Sequence, residues 1–194
     1  MWRTSGARFN CQRRMRYRNT LSAFTISILS VYLIAIGVFQ KIYDISNSNP
    51  ALDKHLTFIA IVGAVFIIVL SLIEWAGDFS VKAERLFENA NKIKELRSKL
   101  DRLSTKGLSE KVLTSQFDKI AENYDQLTNG VTPNHDPIDD LLFRAQNPSE
   151  PQTAFQLTKP QRIWTYVRWY WTCYWIYTIA LLSPIVTLKT LTTC

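Results

Sequence analysis

The residue types with the most chemical potential lie at 134–140, where Asn134, His135, Asp136, Asp139 and Asp140 set one imidazole among three carboxylates. Such a group relays protons only if a partner orients the base, and holds a cation only if several donors converge. A single histidine lacks those partners. Helix capping explains the acids more simply: Asp136 precedes Pro137 as an N-cap, and Asp139 falls where the first-turn amides are free. Cys11, Cys173 and Cys194 are far apart and form no C-x-x-C pair, so burial accounts for them better than a disulfide or zinc. No Ser-His-Asp set, paired histidines or Gly-rich phosphate loop is present. The chain is therefore expected to be no enzyme and to need no cofactor or metal.

The elements that must position these residues are set by lipid. Mean hydropathy is near neutral, at -0.05, only because long apolar runs are averaged with charged ones. Residues 19–40 carry no formal charge, and neither do residues 56–73; about 20 such residues cross the hydrocarbon of a bilayer as a helix. The second run ends in Glu74 and Trp75, and tryptophan favours the headgroup level. A third run, Trp169 to Leu188, opens WYWTCYW and contains Pro184. Aromatic residues of that density favour the interface, and proline in lipid needs neighbours to satisfy the freed carbonyl. This run is expected to span with a kink or to be re-entrant.

Charge sets the expected orientation. The net charge is +7, and residues 1–18 hold six arginines (Arg3, Arg8, Arg13, Arg14, Arg16, Arg18) and no acid. Basic residues beside a span stay in the cytoplasm. The sequence thus divides into a basic cytoplasmic N-terminus (1–18), spans at 19–40 and 56–75 joined by an external loop (41–55), and a cytoplasmic helical hairpin with a short capped helix (76–145). A linker (146–162) and a third membrane segment (163–189) follow. The N-terminal run is too long, and lacks the A-x-A site, for a cleaved signal peptide; its acid-free, Arg-rich start also resembles a mitochondrial presequence. Arg13, Arg14, Arg16, Arg18 and Trp75 read as anchors for topology and anionic lipid, with no direct nucleic-acid binding expected.

In the cytoplasmic part, Phe79, Leu86, Ile93 and Leu100 recur every seven residues, with Leu96 and Leu103 between them. That is a heptad seam, which predicts that the second span runs on as a stalk. Gly107 suits a helix-closing turn. A second seam follows at Leu113, Phe117, Ile120, Tyr124 and Leu127. The spans show small residues at helical spacing: Ala23, Ser27, Ser30 and Gly37 in the first, and Ala60, Ala64 and Ser71 in the second, with Gly63 beside them and Glu74 continuing the face. Small residues let helices approach closely in lipid; in an oligomer the same face can line a lumen, with Glu74 gathering cations at its mouth.

This all-α membrane layout resembles the SLATT proteins, bacterial two-helix membrane effectors attached to nucleotide-signalling and reverse-transcriptase defence systems. The resemblance covers about residues 14–145 and is carried most specifically by Tyr124, Asn134, His135 and Asp139, and less so by RMRYRNTLSAF at the start of the first span. It implies an antiphage, abortive-infection effector of the bacterial inner membrane. That effector would oligomerise into a pore, or disrupt the membrane, when a partner triggers it; the partner would be a nucleotide-signalling protein or a retron reverse transcriptase with its nucleic acid. The other reading of the residues is a non-conducting scaffold that recruits a partner through its cytoplasmic helices.

Overall fold

A computed structural model describes residues 1–105, 110–130, 133–148 and 156–193. Gly107, read above as a turn, and part of the 146–162 linker lie outside the described residues. The chain is all-α there: α1 (Trp2–Ile42), α2 (Ile45–Ser48), α3 (Pro50–Gly77), α4 (Phe79–Ser104), α5 (Glu110–Asn129), α6 (Pro137–Gln146) and α7 (Lys159–Thr193). Two compact units divide it, one of Met1–Arg16 with Ser80–Cys173 and the other of Tyr17–Phe79 with Tyr174–Cys194.

No proline interrupts residues 2–42, and α1 continues through all 41 of them, about 60 Å at 1.5 Å per residue. It ends where Asp44 turns left-handed at φ 45°, a conformation that aspartate tolerates because its short side chain bonds locally. Here Asp44 accepts from Asn47 Nδ2 at 2.8 Å. Asn49 then caps α3 by accepting from Leu52 N at 3.1 Å, and Pro50 occupies the first turn, where its missing N–H costs nothing.

In the second unit α1 and α3 carry the apolar runs. Only 22% of the most apolar window of α1 is buried, and 11% of that in the helical stretch Pro50–Ser104. The core helix of a soluble protein is mostly covered; these helices leave Ile34, Val31, Phe58, Ile61, Ile68 and Leu72 exposed. Lipid is their solvent, since so much contiguous apolar surface is not left to water. Gln40 joins them at one end, its Nε2 donating to Asp53 Oδ1 at 2.8 Å and Thr57 Oγ1 at 3.1 Å. Along the interface Gly63 meets Leu33, so closely that an added Cβ would lie 2.8 Å from a Leu33 methyl carbon.

The stalk expectation needs correction. The second span does not run directly into α4: Asp78 adopts φ 48° and ψ 37° as the C-cap of α3, with its N–H on Trp75 O, and a left-handed residue ends an α-helical ladder. The seam itself does pack, with Leu86, Ile93 and Leu96 buried. Helix α7 continues through Pro184.

Candidate functional site

The first unit is organised around Asp139. Its carboxylate is fully buried, and burying a charge is costly unless it is paired and hydrogen-bonded. Asp139 meets that condition: Arg14 donates from Nε at 3.0 Å and from Nη2 at 2.8 Å, Trp169 Nε1 donates at 2.9 Å, and the backbone N–H of Asp136 donates at 3.2 Å. The last bond closes a capping box at the start of α6. Arg14 also reaches the Asp136 carboxylate. Burial opposes the Arg14 charge, but Asp139 outweighs it and raises the pKa. One carboxylate thus ties α1, α6 and α7 together inside this unit.

Other polar pairs extend the centre. Arg3 makes a bidentate pair with Asp140, both bonds at 2.6 Å. Arg8, 2% exposed, donates to Asn89 Oδ1 and to Leu127 O, while Asn89 donates to the same carbonyl at 2.9 Å. Tyr124 shares a hydrogen bond of 2.8 Å with Thr4. Asn134 accepts from the His135 backbone N–H at 2.9 Å, and His135 Nδ1 is buried without a partner. Burial holds the His135 pKa below its usual value.

Residues 2–18 are the first part of α1, and Arg3, Arg8 and Arg14 serve internal pairs. Of the four arginines among the five proposed anchors, Arg13 and Arg16 are exposed, whereas Arg14 and Arg18 are engaged. Trp75 is 81% exposed. The His135 cluster makes no metal set, because Arg14 and Trp169 take up Asp139 and Arg3 takes up Asp140. Among the described residues no three His, Cys, Asp or Glu converge on an ion site.

In the second unit Glu74 is not free. Its Oε1 accepts from Tyr177 OH and lies 3.6 Å from Arg18 Nε; Oε2 is buried and unpartnered. Arg18 also donates to Tyr177 OH at 3.3 Å and lies 4.0 Å over the Phe79 ring. Ala23, Ser27, Gly37 and Ala64 face outward, and Ser30, Ala60, Gly63 and Ser71 are half-buried. The α1 stripe is therefore not the face that packs within the chain; Ser22, Thr25, Leu29 and Ile36 are buried instead. Ser27, Ser30 and Ser71 donate to the carbonyls four residues before them.

Sequence reading missed Trp169 as a donor and Arg8 and Asn89 as a buried pair. A signal exists for the first: Thr165, Trp169, Cys173, Tyr177 and Ala180 recur at helical spacing and are all buried.

Residues 1–190 match the family described as SMODS and SLOG-associating 2TM effector domain family 5. No curated protein and no solved structure matches the chain. The match takes in both bilayer-length helices and every residue of the Asp139 and Glu74 centres, and it names a class of effectors rather than an enzyme family. The chain therefore belongs to the SMODS and SLOG-associating 2TM effector domain family 5, and is a membrane effector of defence or conflict systems.

Proposed function

We propose that the protein is an antiphage, abortive-infection effector of the bacterial inner membrane, which self-associates to form a pore or disrupt the bilayer when a partner triggers it. The N-terminus is cytoplasmic, residues 41–55 face outward, and residues 163–189 form a third membrane segment. Two or three spans cannot enclose water, so conduction needs several subunits.

The observation that carries this reading is Gly37. A Cβ there would meet nothing within 4 Å, so the fold of one chain does not require its smallness. Ala23, Ser27 and Ala64 are exposed as well, and small outward residues let a second helix approach in lipid. Glu74 is held by Tyr177 and Arg18, which suits a resting state. The trigger is a nucleotide-signalling protein or a reverse transcriptase with its nucleic acid. Direct nucleic-acid binding is disfavoured because Arg3, Arg8, Arg14 and Arg18 have internal partners.

The test pairs Gly37→Leu with Ala64→Leu and measures dye release from liposomes, membrane potential in cells and crosslinked oligomers. Each variant is expected to keep the fold and lose oligomer and leakage together. Wild-type protein that oligomerises without leakage under any trigger would favour the scaffold. One observation supports that second reading: the three stripe serines spend their hydroxyl protons on their own helix, as they do in dry packing.

A further inference from the structure

The second unit contains a slot of about 400 Å³ walled by α1, α3 and α7. We propose that it is a binding site for one acyl chain of a membrane phospholipid. This inference needs only the membrane location of α1 and α3 and does not depend on pore formation.

The lining excludes water. Leu29, Leu33, Val62, Phe66 and Ile179 are among its residues, and among the described residues of the lining the hydroxyl-bearing side chains are those of Tyr32 and Ser183. Ser183 Oγ already donates to Ala180 O at 2.7 Å. A buried water needs two to four polar partners, and the described lining does not provide them. Left empty, its walls would lose their dispersion contacts.

Its size selects the occupant. An apolar cavity of roughly 150 Å³ holds one benzene, about 25 Å³ per carbon. By that scale about 400 Å³ corresponds to the volume of roughly sixteen carbons, that of a common acyl chain. Access is from lipid, because Phe58, Val62, Phe66 and Ile179 at the slot are all more than 40% exposed. A second copy's helix, about 10–12 Å across with its side chains, would fill the slot with separate knobs, whereas a methylene chain fills it continuously.

The experiment compares wild-type protein with Val62→Trp and Ser183→Trp, which fill the slot, and with Val65→Trp, which is exposed but outside its lining. Each is reconstituted in vesicles with a phosphatidylglycerol bearing a diazirine at the middle of one chain, and separately with diazirine palmitate. Circular dichroism checks that each variant is folded. Wild type is also titrated with unlabelled phospholipid against the probe, so that the site is measured without substitution.

The expected result is phospholipid labelling of α3 and α7 peptides that saturates near one per chain. Labelling should fall at least fivefold in the two slot variants and stay unchanged in Val65→Trp. Non-saturating labelling, or labelling equal in all variants, would mean ordinary boundary lipid and overturn the proposal. So would labelling by palmitate alone, which identifies a free fatty acid. A Val62→Cys disulfide between two chains that abolishes labelling would place a second copy in the slot, also against the proposal.

Discussion

Replacing Asp139 by Asn tests whether one buried carboxylate holds the first unit together. The substitution keeps the side-chain shape and leaves an oxygen for Trp169 Nε1, but removes the charge facing Arg14. Arg14 is 13% exposed and Asp139 fully buried, so solvent cannot replace the lost partner. Breaking a buried ion pair from one side costs about 3–5 kcal/mol. Arg14 retains Asp136, which is 58% exposed, and this places the expected loss near the lower bound, about 3 kcal/mol. For a chain of this size each kcal/mol moves the melting midpoint by roughly 2–4 °C, so Asp139→Asn should melt roughly 6–12 °C lower.

The assay is thermal unfolding in nanodiscs, followed by tryptophan fluorescence and circular dichroism, with Asp136→Asn as the exposed control. That control should lose less than about 1 kcal/mol, as exposed pairs do. The double variant Arg14→Leu with Asp139→Leu should recover much of the loss, because removing both charges leaves no buried ion unpaired. If Asp139→Asn melts within about 2 °C of Asp136→Asn, or if the two leucine substitutions add, the centre is not organised as described.

Three further outcomes are expected. Burial lowers the His135 pKa, with Asp140 and Asp139 opposing and Arg8 and Arg3 assisting. The unfolded chain therefore binds the proton more readily, so stability is full above about pH 6.5 and declines as pH falls through the folded pKa. His135→Gln should flatten that part of a melting-point-versus-pH curve. Burial, together with the Asp139 charge, pushes the Cys11 thiol up to about 12; in a Cys173→Ser, Cys194→Ser background, maleimide at pH 8 should leave it unmodified until detergent unfolds the chain. An impermeant maleimide should label Ser48→Cys in intact spheroplasts and Arg13→Cys only after permeabilisation. The reverse pattern would invert the proposed orientation.

What was legible in the sequence followed from neighbours along the chain. Two charge-free runs foretold the apolar helices because a backbone in lipid must satisfy itself, and Asp136 before Pro137 marked the start of α6 because capping is a local event. The partners of the arginines were not legible, for the opposite reason. Six basic residues without a local acid read as anchors for topology and lipid, and Arg14 meets its partners at Asp136 and Asp139, more than 120 positions away. A hint was present: Arg3, Ala7, Asn10 and Arg14 follow the four-three-four spacing of a helix face. Polar residues on a buried face do not register as amphipathicity, since the usual signal is apolar periodicity. The break at Asp78 was equally hidden, because aspartate is an uncommon left-handed residue where glycine is the usual mark.

The same distinction bears on Glu74. Sequence spacing puts it on the small-residue face of α3, where a ring of carboxylates would attract cations. In the single chain its Oε1 is bound by Tyr177, with Arg18 close by, and Oε2 has no partner. A carboxylate with one oxygen buried and unsatisfied bears a desolvation cost that water would relieve. Under the proposed function, assembly would expose Glu74 to a hydrated lumen and thereby remove this cost, while freeing Arg18 and Tyr177 to find other partners. The local strain of the resting chain and the charge requirement of a cation pathway would then favour the same rearrangement. Under that proposal Tyr177, whose hydroxyl holds Glu74 in the single chain, would help set how readily it occurs.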